Sequence, residues 1–322
     1  MSGHIVNQIK NSSLVNDSTL HVVAVVSNPM RFHSRYRIFR EWMRSMEATP
    51  NVKLYVVETA FGDRHFEITE KNNPQHLQLH TDSHIWTKEN TINLGVRYLL
   101  PRDWRYMAWI DGDVFFDNPN WAMETMHQLQ HFNVVQPWSQ CLDLDFRGGI
   151  MQTFQSFGYI DQCGHKKQKH PSEPYIYAHT GMAWACTRAF WEAVQGLMDF
   201  SILGSADHHM GFGMIGEVKD TIHKGMSPGF FRRCLEWQQR AVPFTDLEVG
   251  YVPGFIKHSF HGKKVNRKYR ERWHILIDNK FDPDTDLAYD TQGLLRLVEK
   301  PRLEKAIRHY MIERNEDEIS HR

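Results

Sequence analysis

Long apolar runs are missing from this chain. The longest clean aliphatic stretch near the N-terminus is Val22–Val26, far short of the ~20 residues that cross a bilayer. Residues 1–19 are polar and carry no apolar signal-peptide core, so the expectation is a cytoplasmic protein without a membrane role. Cysteine is scarce. Cys141, Cys163, Cys186 and Cys234 stand at spacings that match no zinc pattern, and four in 322 residues make no disulfide framework. They read as free thiols in a reducing compartment, which makes the sequons at Asn11 and Asn16 chance matches. Net charge is absent too. Lys+Arg and Asp+Glu both number 38, which excludes a protein that coats nucleic acid by bulk charge and leaves room only for a local basic patch. No internal repeat and no linker rich in Pro, Gly or Ser divides the chain.

What is present is material for a core and for sites. Hydrophobic residues make up 41% of the chain, enough to exclude disorder, and there are 20 histidines to build sites from. His21–Ser27 is a continuous β-branched run, as a strand buried on both faces requires. Arg35–Met46 has apolar residues at helical spacing. Val52–Glu58 and Leu77–His80 read as strands, Lys88–Leu100 as a helix stopped by Pro101, and Tyr106–Ile110 as a buried strand running into Asp111. Trp121–His131 reads as helix and Val134–Gln136 as strand. This alternation predicts an α/β fold, Rossmann-like, with a mostly parallel central sheet. The second half is less regular. Gly148–Pro174 and the glycine-bearing Gly204–Gly216 read as loops, Ala183–Cys186 as a central strand, Ala189–Met198 and Arg302–Arg314 as helices. The expected organisation is a polar arm (1–19), a regular α/β half (20–140) and a more elaborated half (141–322) of one domain.

The sharpest motif is Asp111-Gly112-Asp113, directly after the buried strand Tyr106–Ile110. In open α/β sheets ligands bind at the carboxyl ends of strands. Two acids there repel each other unless a cation or proton lies between them. A hard divalent ion, Mn²⁺ or Mg²⁺, that also binds substrate phosphates meets that need. The plain alternative is a turn in which Asp and Gly merely end a strand.

At these residues the chain resembles a glycosyltransferase of the GT-A fold, in which a strand ending in DxD holds the metal that binds a nucleotide-sugar diphosphate. The resemblance runs over roughly residues 20–315. It includes Trp86–Asn90 and Asn93, Asn118–Trp121, Gly181–Ala185, Gly204–Asp207, His258–Gly262 and Asn266–Arg272. In that order the motifs look like a phage- and virus-encoded branch, some of whose relatives are associated with glycosylation of hypermodified DNA bases. The resemblance implies a nucleotide-sugar donor, a UDP-sugar first, and an acceptor such as a 5-hydroxymethyl-pyrimidine in phage DNA. The setting is then the host cytoplasm, and no obligate protein partner is implied.

Carried over residue by residue, the resemblance makes Asp113 a metal ligand and puts Asp111 on the ribose or a metal-bound water. Asn28, Arg31 and Arg35 follow the first strand, where such enzymes seat the base; Trp184 joins the donor-binding set. Lys88 is a counter-charge for phosphate, or else the exposed first turn of a helix. Asp207 resembles the acid that deprotonates the acceptor hydroxyl in inverting members, or is a helix cap. His258 and His261 stand where the family supplies a C-terminal histidine to the metal, with His258 the first choice.

The segment 257–273 carries Lys257, Lys263, Lys264, Arg267, Lys268, Arg270 and Arg272 against Glu271 alone. With the Lys-rich stretch His165–His170 it points to a polyanionic acceptor, or to a solvated face. Two other readings stay open: a haloacid-dehalogenase-like phosphatase with Asp111 as nucleophile, which lacks the later pair of acids it needs, and a non-catalytic nucleic-acid-binding module. Asp282-x-Asp284-x-Asp286 fails as a calcium loop because Leu287 replaces the required glycine. Cys163 with His165 and His170 lacks a second cysteine for zinc.

Overall fold

The computed structural model describes residues 18–163 and 178–318. The expected polar arm and His165–His170 lie, all but residues 18–19, outside the described residues. In chain order the elements begin β1 (Leu20–Ser27), α1 (His33–Glu47), β2 (Val52–Phe61), β3 (His76–Thr81), α2 (Lys88–Leu99), β4 (Tyr106–Ile110), β5 (Val114–Phe116) and α3 (Trp121–Gln128). Next come β6 (Val134–Gln136), β7 (Gln140–Leu144), β8 (Ile150–Gln155), α4 (Phe157–Gln162), β9 (Ala183–Thr187), α5 (Arg188–Val194), α6 (Ala206–Met214) and α7 (Pro228–Thr245). The last are β10 (Gly250–Tyr251), β11 (Phe255–His258), α8 (Arg272–Asp278), β12 (Leu287–Tyr289), β13 (Leu295–Leu297) and α9 (Pro301–Glu313).

Seven strands form the main sheet in the order β10-β6-β9-β4-β1-β2-β3. All its pairings are parallel except the two that β9 makes, with β4 and β6. The fold is α/β with a mostly parallel central sheet, as the strand–helix alternation predicts. Alternate residues of β1 serve opposite faces: Val23 packs with Ile92 and Val96 of α2, while Val22, Ala24 and Val26 pack with Phe39, Trp42 and Met46 of α1. Helix α2 lies close to the sheet at Gly95, where a Cβ would come within 2.8 Å of Val23 and Val57. Strands β9 and β10 come from beyond residue 140, so the main sheet draws on both expected halves.

A second sheet, ordered β5-β11-β7-β8, stands at the carboxyl end of β4. Its β8, and α4 after it, replace the loop expected over Gly148–Pro174, in the part of that range that is described. Ser156 caps α4 by accepting from the Tyr159 N–H at 3.1 Å. Gly204–Gly216 likewise holds a helix, α6, rather than a loop. Its glycines are packing devices: a Cβ on Gly211 would stand 2.8 Å from Thr180, and one on Gly213 3.2 Å from Trp237. Burial of seven of its nine residues outweighs their poor helix propensity. Asp284 pairs with Arg232 and Arg233, and Asp286 with Lys300. No helix among the described residues is long and apolar enough to cross a membrane.

Candidate active site

The strand β4 ends at Ile110, and the chain turns at once: the Val114 N–H donates to the Asp111 carbonyl at 3.2 Å. Gly112 is required inside this turn because a Cβ there would lie 2.2 Å from the Phe39 ring. The antiparallel neighbour β9 fixes the turn from the other side, with the Asp111 N–H donating to the Met182 carbonyl at 2.8 Å. Lys88, the first residue of α2, reaches over and donates to Asp111 Oδ1. A cation at a helix N-terminus opposes the dipole, so this position is kept by the ion pair. Burial lowers the lysine's affinity for its proton, but Asp111 more than restores it, and the net direction is up.

Asp113 faces a different neighbourhood, and strand register creates it. Strand β11 pairs antiparallel with β5, His258 opposite Val114, and parallel with β7, His258 opposite Asp143. The Ser259 N–H donates to the Asp113 carbonyl at 2.9 Å. Asp113, His258 and Asp143, separated in sequence, thus become neighbours. His261 Nε2 stands 3.0 Å from Asp113 Oδ2, His258 Nε2 stands 3.8 Å from it, and the two Nε2 atoms are 3.2 Å apart. Cis ligands of an octahedral ion at ~2.1 Å are separated by about 3.0 Å. These three donors therefore fit one face of a divalent ion.

Three further observations agree with a metal. Among the described residues, Asp113, His258 and His261 are the one group of three potential ligand side chains close enough to share an ion. The other Asp113 oxygen, Oδ1, is buried with no hydrogen-bond partner. Buried Asp143 Oδ1 lies 2.7 Å from His258 Nδ1, the carboxylate–imidazole pairing that turns Nε2 toward an ion. Burial would raise the Asp113 carboxyl, yet His261 and His258 hold it well below the usual range.

An arginine-rich wall faces this cluster. Arg35 donates through Nε and Nη2 to Glu316, at 2.9 and 2.6 Å, and Arg314 Nη2 donates to the same carboxylate at 2.8 Å. Arg267 Nη2 donates to His261 Nε2 at 2.6 Å, and Arg272 donates to Ser205 Oγ. Four lysines of the basic segment 257–273 are ion-paired outside it: Lys257 with Asp117, Lys263 with Glu318, Lys264 with Asp143 and Lys268 with Glu313. The segment stands beside the cavity, but most of its surplus charge is neutralised there.

Asp207 lines the same cavity as Asp111 and Asp113. It is the second residue of α6; the residue preceding the helix is Ser205, whose φ of +74° is left-handed, so Asp207 is not its cap. Asn28 also lines the cavity, though its amide closes its own loop by bonding the Phe32 N–H and carbonyl, both at 2.9 Å. Two expected donor contacts lie elsewhere. Arg31 lines the neighbouring grooves rather than this cavity, because its left-handed φ of +58° turns the chain away after β1. Trp184 is 2% exposed: the β4–β9 register stacks it on Trp109, with Nε1–H donated to the Thr180 carbonyl at 2.6 Å, so it is core. Asp111 lies outside the three-donor cluster.

Three cavity residues carry no assigned role in the sequence reading. Glu316 belongs to the acidic stretch Glu316–Glu318 that follows the last helix. Glu89 follows Lys88, and burial raises its carboxyl to about 7 against the pull of Lys88. His179 adjoins the Gly181 motif, which was the only signal near it.

No protein-family model and no curated relative matches the chain. Among solved structures it is similar to a Drosophila β-1,4-galactosyltransferase 7 mutant in complex with manganese, UDP-Gal and xylobiose, at 12% identity over 88% of this chain and 99% of that one, with a TM-score of 0.38. It is also similar to a putative nucleotide-diphospho-sugar transferase from Desulfovibrio desulfuricans, at 12% identity over 91% and 96% of the two chains, TM-score 0.34. A third is the 4-diphosphocytidyl-2C-methyl-D-erythritol synthase of Anaerococcus prevotii, at 9% identity, 74% and 88% coverage, TM-score 0.37. Likenesses this distant carry no inference about the chemistry of this chain.

Proposed function

We propose that this chain is a metal-dependent glycosyltransferase of the GT-A type, moving a sugar from a nucleotide-sugar, a UDP-sugar first, to an acceptor hydroxyl. The observation that carries this reading is the convergence of Asp113 Oδ2 and the Nε2 atoms of His258 and His261 at the carboxyl end of β4, in the cavity that the arginines and Asp207 also line. Two imidazoles with one carboxylate suit Mn²⁺ better than Mg²⁺. When bound, the ion neutralises the diphosphate leaving group as a Lewis acid. The remaining steps belong to the chain. Arg35 and Arg267, planar and always charged, take the diphosphate oxygens, and Arg267 leaves His261 to do so. Lys88 fixes Asp111 toward the donor. Asp207 accepts the acceptor's proton as its oxygen bonds to the anomeric carbon, and the bond from that carbon to the phosphate oxygen breaks, its electron pair leaving with the nucleotide. The two later donors are imidazoles rather than acids, which leaves the phosphatase reading without its second acid pair.

The acceptor proposed is a hydroxymethyl-pyrimidine in duplex DNA, supported by the family resemblance and by Arg270 and Arg272; the four lysines paired with nearby acids weaken it. The proposed setting is a reducing cytoplasm, in keeping with four free cysteines, three of them buried. The division into a donor half (20–140) and an acceptor half (141–322) is part of the same proposal.

The test is UDP release from a panel of UDP-sugars with Mn²⁺. Full activity in excess EDTA overturns the metal's role, and no release from any donor overturns the function. DNA is tested by binding hydroxymethylated duplex over a salt series, where each phosphate contact adds about −0.9 to the log–log slope. No binding at low salt removes DNA as acceptor.

A further inference from the structure

Of the arginines and lysines that line the cavity, two form no ion pair with a carboxylate among the described residues. Arg35 and Arg314 share Glu316, Lys88 holds Asp111 and Lys264 holds Asp143. Arg267 is the first without one; it stands at the metal cluster, where its Nη2 meets His261 Nε2 at 2.6 Å. Arg272 is the second, and the chemistry above gives it no step.

Three observations fix where the Arg272 guanidinium stands. Its Nη2 donates to Ser205 Oγ, and Ser205 stands two residues before Asp207 in the chain. Its Cζ lies over the Tyr269 ring, 5.1 Å from the centroid. Its Nη1 lies 3.5 Å from the point that a Cβ on Gly204 would occupy, and Gly204, Ser205 and Tyr269 all line the cavity. The guanidinium is thus tied to the start of α6. His208 on that helix feels both neighbours: burial lowers its imidazole, Asp207 opposes this and Arg272 adds to it. Ser205 and Tyr269 are the side-chain partners of Arg272 among the described residues, which leaves the N–H groups of Nε and Nη1 without an acceptor there. Tyr269 keeps the two arginines apart. Arg267 Nη1 donates to its hydroxyl at 3.1 Å, while Arg272 lies over its ring. The cavity therefore offers an anion two positions, one at the metal cluster and one at the start of α6.

We propose that Arg272 binds a phosphate ester carried by the acceptor and so sets the acceptor's hydroxyl near Asp207. The inference rests on the glycosyl-transfer reading for the place of Asp207 on the acceptor side. It deepens that reading by assigning the residue that selects the acceptor: a hydroxyl compound with its own phosphate is preferred to a neutral sugar. A planar guanidinium with open donors on two of its nitrogens suits a phosphate, which accepts through several oxygens at once. A carboxylate would bring no more than Asp207 already offers from within the chain. The phosphate belongs either to a nucleic-acid strand, as a diester, or to a small molecule, as a monoester, and the two differ in charge and in length.

The test is calorimetric binding to the full chain with UDP and Mn²⁺ present in excess, so that the donor positions are filled. The probes are thymidine, thymidine 5′-monophosphate and tetrathymidylate. In the wild type the monophosphate should bind at least about tenfold more tightly than thymidine, as one charge-assisted contact gives. Arg272→Gln should bring the two within about twofold of each other. Arg272→Lys, which keeps the charge but not the fork, should retain part of the preference. UDP affinity in both variants should stay within about twofold of the wild type, which also shows that they are folded. No preference for the monophosphate in the wild type overturns the assignment, as does a preference that survives in Arg272→Gln. A loss of UDP affinity in both variants moves Arg272 to the donor side and overturns it too. Tetrathymidylate binding more tightly than the monophosphate supports the assignment with a strand as the source, and the reverse order supports it with a small phosphate monoester. If UDP and Mn²⁺ do not bind the wild type at all, the proposed function falls, and the comparison of wild type with Arg272→Gln for the monophosphate still decides Arg272.

Discussion

At the residue scale, two aspartates one position apart do different work because the turn between them sends their side chains to different partners. Asp111 is held by Lys88; Asp113 meets the two histidines. Asp113→Asn removes one of three donors and should weaken Mn²⁺ binding at least tenfold, read by calorimetry or by the spectrum of free Mn²⁺. Asp111→Asn should leave Mn²⁺ affinity within about threefold and lower turnover instead. Equal loss of Mn²⁺ in both variants would place Asp111 in the metal site. Glu89 gives a second residue-scale expectation. Its carboxyl titrates near 7 in the folded chain against an ordinary 4.5. Between those values the folded state holds a proton that the unfolded state has lost, so this residue makes stability fall as pH rises from about 4.5 to about 7. Urea unfolding across that window should show the slope in the wild type and a flatter profile in Glu89→Gln. Identical profiles would mean that Glu89 ionises normally.

At the scale of elements, the sequence was legible where the physics is local. Tyr106–Ile110 announces a buried strand by its apolar run, and Asp111-Gly112-Asp113 announces a site by lying at its end. His258 and His261 could be nominated by spacing, but their meeting with Asp113 depends on β11 pairing with β5 and β7, which a period-two pattern does not encode. The same limit hid β8 and α6, where packing outweighs propensity, and it made Trp184 a false donor contact. Capping gives another non-local case. Phe32 precedes α1 and offers no side-chain cap, so the first amides of that helix need a distant acceptor. Asp317 supplies it, accepting from the His33 and Ser34 N–H groups, both at 2.8 Å. Burial would raise that carboxyl, but these bonds hold it below its ordinary value. Its contribution is therefore present above about pH 4 and lost as the pH falls further. Asp317→Ala should cost about 1 kcal/mol, measured by urea unfolding at pH 7. A cost indistinguishable from zero would show that water caps α1 as well.

At the scale of the whole molecule, the C-terminal stretch closes the site over the N-terminal strand–helix unit. Glu316 is 3% exposed and lines the cavity, bonded to Arg35 from the start of α1 and Arg314 from the end of α9. Its burial alone would raise the carboxyl, yet Arg35 and Arg314 pull it well below its usual range. One carboxylate thus joins the first and last helices and orients the arginine assigned to the diphosphate. Neutralising it leaves Arg314, itself 8% exposed, with a buried charge and no counter-ion among these contacts. Removing one partner of a buried pair costs about 3–5 kcal/mol, and Glu316→Gln should lose stability of that order at pH 7. The wild-type contribution is complete above the ordinary carboxylate pKa and fades as the pH drops below it, so the gap between wild type and variant should shrink in acid. A second readout separates the packing role from the functional one. With Arg35 no longer held, the variant should bind UDP at least tenfold more weakly, while Mn²⁺ affinity, set by Asp113, His258 and His261, should fall less even though Glu316 lies 3.9 Å from His261 Nδ1. Unchanged UDP affinity in a folded variant would confine Glu316 to stability and remove Arg35 from the donor site.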